Sequence, residues 1–421
     1  MSKTILLKKV AKYSDTRISI KDVSIDTFIT TDNLLQNKLG ITTATSLPPQ
    51  DGNMTAYFTN NILIGNIRPY LKKIWYADRN GGNSADVLTL QVNKKYNSKF
   101  IYYALYRDDF FEHMMKGSKG TKMPRGDKAQ IMDFTIPDMS LENQKKIANI
   151  LSSFDSKIEL NNKINKELES MAKTLYDYWF VQFDFPNENG KPYKSSGGKM
   201  VYNKELKRKI PEGWEVKTIS QLIGNNKGGD WGKEQEEGNY TQKVSCIRGA
   251  DLNGLNGLGE LNPPERFILD KNSNKILESH DLIVEISGGS PTQSTGRLSF
   301  VIDETITRFE NPLICSNFCK SFSLENKKYL YYFIYMWNNL YDNSVLFGWE
   351  GKTSGIKNLL FDSFTQKYFI VVPEENINQK FYEKMDSFHK MKQKNLKENQ
   401  ELANLRDWLL PMLMNGQVRV K

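Results

Sequence analysis

Histidine and cysteine are scarce in this chain of 421 residues, with three of each. Cys246, Cys315 and Cys319 cannot supply a disulfide framework, which fits a reducing compartment. His113, His280 and His389 lie far apart, and Cys315-x-x-x-Cys319 has no accompanying His/Cys pair, so no metal site is expected. No window holds the roughly 18 unbroken apolar residues of a membrane span. The stretch MSKTILLKKV lacks the apolar core and cleavage site of a secretory signal. The expected location is therefore the cytoplasm, with no membrane partner.

Cofactor signatures are missing as well. The string GKT at 351–353 would need a glycine where Leu346 stands to make a phosphate-binding loop. The string NPPE at 262–265 comes near the Asn-Pro-Pro-aromatic motif of amino-methyltransferases, but Glu265 replaces the aromatic residue that would stack on a flipped base. No strand-turn-helix site surrounds the neighbouring GLNGLG, so a loop is the better reading. No catalytic residue is assigned.

What is present is a folded chain, 39% apolar and 25% charged, long enough for two or three domains. The net charge is +9, yet residues 1–140 carry 20 Lys and Arg against 13 Asp and Glu, while residues 211–372 carry 16 against 20. The basic excess points towards nucleic acid, although a solvated basic surface gives the same composition. An acidic second half argues against one uniformly charged binding face.

The chain repeats itself. NKKYNSKFIYY at 93–103 returns as NKKYLYYFIYM at 326–336, with seven identities in eleven positions. Ile147, Leu151, Phe154, Leu168, Met171 and Leu175 are matched, 234 positions on, by Phe381, Met385, Phe388, Leu402, Leu405 and Leu409. ILLKKVAKYS at 5–14 loosely parallels WEVKTISQLI at 214–223, so RKIPEGWEV at 208–216 opens a second copy. In each copy a globular part mixes Ile/Val/Phe runs, Gly/Asn/Pro punctuation and one helix, near 96–111 or 329–341. Each then ends in a helical tail whose apolar residues alternate at spacings of three and four.

The predicted fold class is α+β: two similar α+β modules in tandem, each followed by a long helix, the two helices pairing as an antiparallel coiled coil. The segments are 1–140, a helix over 141–181, a linker over 182–210, a second module over 211–373 and a C-terminal helix over 374–421. Pro137 and Ser140 precede the first helix; Pro373 and a capping box, Asn376-x-x-Gln379, precede the second. Pro411, Asn415 and Gly416 mark its exit. A helix of about 38 residues is about 57 Å long. The 3,4 spacing puts Asn161 and Asn165 on the seam in one copy and Asn395 and Asn399 in the other. Antiparallel pairing sets Asn161 against Asn399 and Asn165 against Asn395, where buried asparagines fix register at a cost in stability. Exposed asparagines on a solvated face are the alternative.

Three long stretches, QKKIANILSSFDSKIELNNKINKELESMAKTLYDYWFVQFDF, GKPYKSSGGKMVYNKELKRKIPEGWEV and LRDWLLPMLMNGQV, resemble the specificity subunits of type I restriction-modification systems. The resemblance implies a non-catalytic reader of double-stranded DNA. Its two target-recognition domains would each read one half of a split, asymmetric site, and the paired helices would act as a ruler between them. It also implies two methyltransferase subunits and restriction subunits as partners. S-adenosylmethionine would then belong to the methyltransferase partner, ATP and Mg to the restriction partner, and no cofactor to this chain. An arm of about 57 Å spans about 17 base pairs, the scale of two half-sites more than one turn apart.

DNA-contacting residues come from side-chain chemistry. In the first module, KGSKGTKMPRGDK at 116–128 supplies Lys116, Lys119, Lys122, Arg125 and Lys128 among three glycines. In the second, FGWEGKTSGIKN at 347–358 supplies Trp349, Lys352 and Lys357. Arg68, Lys72 and Lys73 in NIRPYLKK, Arg248 in CIRGAD and Arg297 are secondary candidates. Trp179 and Phe180, in an aromatic run with Phe183 and Phe185, either anchor the helix in a core or dock a partner. The rival functions are a DNA methyltransferase with built-in specificity, which would need a cofactor signature, and a scaffold or dimerisation protein without base readout.

Overall fold

The computed structural model describes residues 3–49, 52–288, 293–353, 356–418 and 420, with backbone alone at Lys352 and Thr353. The chain forms two compact units, Met1–Ile158 with Glu401–Lys421, and Glu159–Gln400.

In the first unit, one antiparallel sheet runs in the order Ala11–Tyr13, Val87–Val92, Ile62–Gly65, Ile74–Tyr76, and a mixed sheet in the order Arg17–Ser19, Asn53–Tyr57, Gly81–Asn83, Phe28–Ile29, its last pair parallel. The single helix expected near 96–111 is two, Ser98–Tyr106 and Asp108–Lys116, broken at Arg107, which adopts extended backbone. Asn97 caps the first of them by accepting the Phe100 N–H at 2.9 Å. Phe100, Ile101, Ala104, Phe110 and Met114 fill a core with Ile62, Ile64, Leu88 and Leu90. Ile147, Ala148 and Leu151 of the first long helix, and Leu410, Leu413 and Met414 of the second, close that core. Each of these large side chains contributes about 1.5–3 kcal/mol by leaving water.

The second unit repeats the plan with larger elements. A sheet ordered Ile223–Gly228, Cys319–Leu324, Leu282–Glu285, Leu298–Phe300 packs on the helix Leu330–Asp342, in which every residue from Leu330 to Trp337 is buried. The copies begin and end alike. Thr4–Leu6 pairs with Thr135–Pro137 just before the first long helix, and Glu215–Thr218 pairs with Phe369–Val372 just before the second.

The long helices are Leu141–Tyr176 and Glu375–Met414. Ser140 caps the first, its hydroxyl accepting the Asn143 N–H at 3.3 Å. The helix ends in a π turn, Asp177–Val181, where the Gln182 N–H reaches back to the Asp177 carbonyl at 2.9 Å. Three sequence expectations change here. The box Asn376-x-x-Gln379 does not form, because the helix starts one residue earlier and the Asn376 carboxamide accepts the adjacent Ile377 N–H. Pro411 lies inside the helix, where its missing donor frees only the carbonyl of exposed Asp407; Gly416, at φ 72°, provides the stop. The segment 182–210 is folded: Met200–Asn203 and Arg208–Pro211 form a hairpin, and Phe185 stacks on Trp214 at 5.0 Å.

Candidate nucleic-acid interface

The loop 116–128 is a small built structure. Lys119 and Arg125 exchange both backbone hydrogen bonds, each at 3.0 Å, and Gly120, at φ 94°, turns the chain between them. Asp127 caps the following helix, its carboxylate accepting the Ala129 and Gln130 N–H groups at 2.9 and 3.1 Å. The Gln130 amide, then the Lys119 ammonium, hold the Asp127 carboxyl below the usual range. Lys116, Lys119, Lys122, Arg125 and Lys128 all have exposed side chains. Lys119 pairs with Asp127 at 3.3 Å and Arg125 with Asp86 at 2.7 Å. Surface pairs of this kind are worth little, so both cations can exchange a carboxylate for a phosphate. Lys116, Lys122 and Lys128 have no carboxylate partner among the described residues.

Of the three candidate cations in NIRPYLKK, only Arg68 is tied to this loop, through its backbone. Its N–H donates to the Pro124 carbonyl at 2.7 Å, and Ile67 bridges Arg125. Lys72 instead bonds Asp108 at 2.9 Å, alongside Lys38 at 2.6 Å. Burial would raise the Asp108 pKa, but the two ammonium groups hold it below its ordinary value. Lys73 gives its ammonium to the Thr31 carbonyl, and burial lowers its pKa. Both ammonium groups are therefore engaged within the module.

In the second unit most of the candidate cations are engaged. Arg297 makes a bidentate pair with Glu285 at 2.9 and 2.7 Å, both side chains largely buried. Arg248 holds Asp251 at 2.8 and 3.1 Å and the Asn262 carbonyl at 2.7 Å. These bonds take up the Nε and Nη2 donors of each arginine and fasten loops. Lys357 pairs with Glu350 at 3.2 Å and lies 4.8 Å from the Phe347 ring centroid. Trp349 is half-buried against Phe364, 5.3 Å between centroids. The side chain of Lys352 lies outside the described residues. GKT falls in the strand Glu350–Thr353, and residues 261–264 are loop, so neither motif has the backbone its cofactor reading needs.

Within the second unit the two long helices run antiparallel. Asn161 Nδ2 donates to Asn399 Oδ1 at 2.9 Å and to Glu398 Oε2 at 2.7 Å, while Asn395 Nδ2 donates to Asn165 Oδ1 at 2.8 Å. Asn161 and Asn165 are buried. The seam is more polar than the sequence suggested. Lys392, 2% exposed, pairs with Glu169, and His389 Nε2 bonds the Tyr335 hydroxyl at 3.0 Å. Burial, then the Lys392 charge, push the His389 pKa well down, so its ring is neutral. Arg308 gives Nη1 to Gln393 Oε1 at 2.6 Å and to the Leu255 carbonyl at 2.8 Å, tying a recognition-module loop to the helix. In the first unit, Arg406 pairs with Asp155 at 2.6 Å and lies 4.8 Å from the Tyr106 ring centroid. Lys392, Glu169, Arg308 and Arg406 read from the sequence as solvated helix or loop positions, and His389 only as an isolated histidine unsuited to a metal site.

The docking assignment of Trp179 and Phe180 is corrected. They are 4% and 5% exposed, and Phe180 meets Phe381 edge-on at 4.8 Å and Tyr332 at 5.0 Å. Side chains sealed this way offer no surface; they anchor the helix, the alternative the sequence left open. The three cysteines are buried and unpaired, and burial pushes the Cys246 thiol up to about 12, which makes it inert. Among the described residues, no group of three or more His, Cys, Asp or Glu is placed to hold a metal ion, and no helix is long and apolar enough to cross a membrane.

The model of the type I restriction modification DNA specificity domain matches residues 5–170 and again 211–404. The chain is 26% identical over 329 residues to the type I restriction enzyme MjaIX specificity subunit of Methanocaldococcus jannaschii, covering 77% of this chain and 70% of that protein. It is 26% identical over 447 residues to the HindI specificity subunit of Haemophilus influenzae, covering 93% and 94%. Its fold is similar to the crystal structure of the type I restriction-modification S subunit from M. genitalium, with a TM-score of 0.58 and 15% identity over 98% of this chain and 96% of that one.

Proposed function

The chain belongs to the family of type I restriction modification DNA specificity domains, and from that premise we propose that it is the non-catalytic, sequence-reading subunit of a type I restriction-modification complex. Each globular module reads one half of a split, asymmetric site in double-stranded DNA. The paired helices hold the two readers at a fixed spacing and carry two methyltransferase subunits, to which restriction subunits add. S-adenosylmethionine is the methyltransferase partner's cofactor, and ATP and Mg the restriction partner's.

The observation that carries this reading is the duplication itself. Two modules close with the same strand pair and each hands on to a long helix. A repeated reader on a repeated spacer suits a target with two unlike halves, since the modules diverge while the helices keep one pattern. The exposed, largely unpaired cations of 116–128 suit phosphate neutralisation. In the second module, where Arg297 and Arg248 are engaged, local clusters and flanking partner subunits supply the phosphate contacts.

The test is to express the chain with its cognate methyltransferase subunit and map methylated bases across a DNA library by single-molecule sequencing. The expected result is a split motif in which exchanging residues 211–372 alters one half only. A continuous or absent motif from a folded, assembled complex would favour a scaffold without base readout.

A further inference from the structure

Two residues outside all the basic candidates stand at the end of the first module's basic surface. Tyr70 is 50% exposed and Met123 is 53% exposed, while their neighbours Pro69 and Pro124 are buried. Scattered exposed apolar side chains are ordinary. These two are not scattered: Ile67 bridges Arg125 antiparallel and Arg68 donates to Pro124, so Tyr70 and Met123 lie at the same end of one paired loop.

That end is rigidly made. Arg68 and Lys72, both non-glycine, take left-handed backbone at φ 52° and 51° on either side of Pro69–Leu71. Such conformations are unfavourable for residues that carry a Cβ and persist only where surroundings impose them. The surroundings here are the Lys72 N–H to Pro69 carbonyl bond at 2.9 Å, the Lys38 N–H to Lys72 carbonyl bond at 3.0 Å and the Lys72–Asp108 ion pair at 2.9 Å. Backbone strain is thus maintained on both sides of a segment whose Tyr70 stays in water, the reverse of what burial would favour.

We propose that Tyr70 and Met123 are specificity-determining residues, an apolar tip that contacts bases of the first half-site while the surrounding cations hold the phosphates. The inference rests on the reading of this chain as a DNA-reading subunit. Charge complementarity selects the occupant: Lys116, Lys119, Lys122, Arg125 and Lys128 are exposed on the same loop, and among the described residues only Lys119 and Arg125 of these have a carboxylate partner, Asp127 and Asp86. Protein interfaces are depleted in lysine, whereas a polyanion with apolar base faces and thymine methyls meets both features. In the corresponding loop of the second module Phe347 and Ile356 are likewise 40% and 49% exposed, but there Lys357 is engaged by Glu350.

The experiment uses the full chain assembled with its methyltransferase subunit, comparing Tyr70→Ala, Met123→Ala and Lys122→Ala. For Tyr70→Ala and Met123→Ala we expect the preference for cognate over non-cognate DNA to fall about 10-fold. Their methylation maps should relax at one or two base pairs of one half of the motif, with the other half unchanged. Lys122→Ala should weaken cognate and non-cognate binding alike. Uracil in place of thymine in the relaxed positions separates methyl contact, which it weakens, from insertion between bases, which a 2-aminopurine probe there reports by fluorescence. An unchanged motif and an unchanged cognate preference in both apolar variants would overturn the tip while leaving the two-reader function standing. A wild-type complex with no split motif would overturn that function and the tip with it.

Discussion

Asn395 donates its carboxamide to Asn165 across the helix pair at 2.8 Å, and Asn165 in turn donates to the Lys392 carbonyl at 3.4 Å. Two helices joined by leucines alone could slide by a turn or reverse; a buried amide that finds a partner at only one register makes the other arrangements costly.

The first prediction follows from that pair. Asn165→Ala strands the Asn395 amide and should destabilise the chain by about 1–3 kcal/mol. The Asn165→Leu, Asn395→Leu pair should cost less than the sum of the two single changes, with a coupling of about 0.5–3 kcal/mol. Denaturant melts of the four proteins measure it; strict additivity would mean that the pair fixes nothing.

A second concerns Lys392 and Glu169, an ion pair whose ammonium is almost fully buried. Glu169→Gln should cost about 3–5 kcal/mol because it leaves a buried charge uncompensated. Lys392→Met combined with Glu169→Leu should recover most of that loss. If Glu169→Gln melts like the wild type, the charge is being satisfied elsewhere.

A third concerns pH. His389 is buried against Tyr331 and Tyr335 with Lys392 nearby, and its pKa lies well below the ordinary value of 6.5. The unfolded chain takes up a proton below that value and the folded chain does not. Stability is therefore complete above pH 6.5 and falls with decreasing pH, by up to about 1.4 kcal/mol per unit. His389→Gln should flatten the melting profile between pH 7.5 and 5.5; an unchanged slope would point to the carboxylates instead.

A fourth separates the basic residues by task. Alanine at Lys116, Lys122 and Lys128 should weaken DNA binding of the assembled complex on any sequence and lower the salt dependence by about 0.9 for each phosphate no longer neutralised. Arg297→Ala should act first on folding, since it leaves the Glu285 carboxylate buried without its bidentate partner. Melting and filter-binding titrations on the same preparations tell the two apart.

Much of the plan could be read along the chain. The offset between copies, the α+β pattern of each, the long helices and the places of Asn161, Asn165, Asn395 and Asn399 are all consequences of periodicity. A helix repeats every 3.6 residues whatever it packs against, so a one-dimensional pattern suffices to locate its seam. The run at 93–103 and its echo at 326–336 likewise declare a second module without any knowledge of tertiary packing.

The tertiary structure decided which charges are free. Lys72, Lys73 and Arg297 look like Lys116 and Lys122 in sequence, yet each is held by a carboxylate or carbonyl brought in from elsewhere in its unit, over as many as 42 residues in the case of Lys73; the carboxylate on Arg248 is local, Asp251 three residues on. It also sealed Trp179 and Phe180 against Phe381, far along the chain, and left Tyr70 and Met123 in water. Electrostatic pairing and burial depend on what the fold places within a few ångströms, and sequence spacing carries that information only inside a single helix or turn.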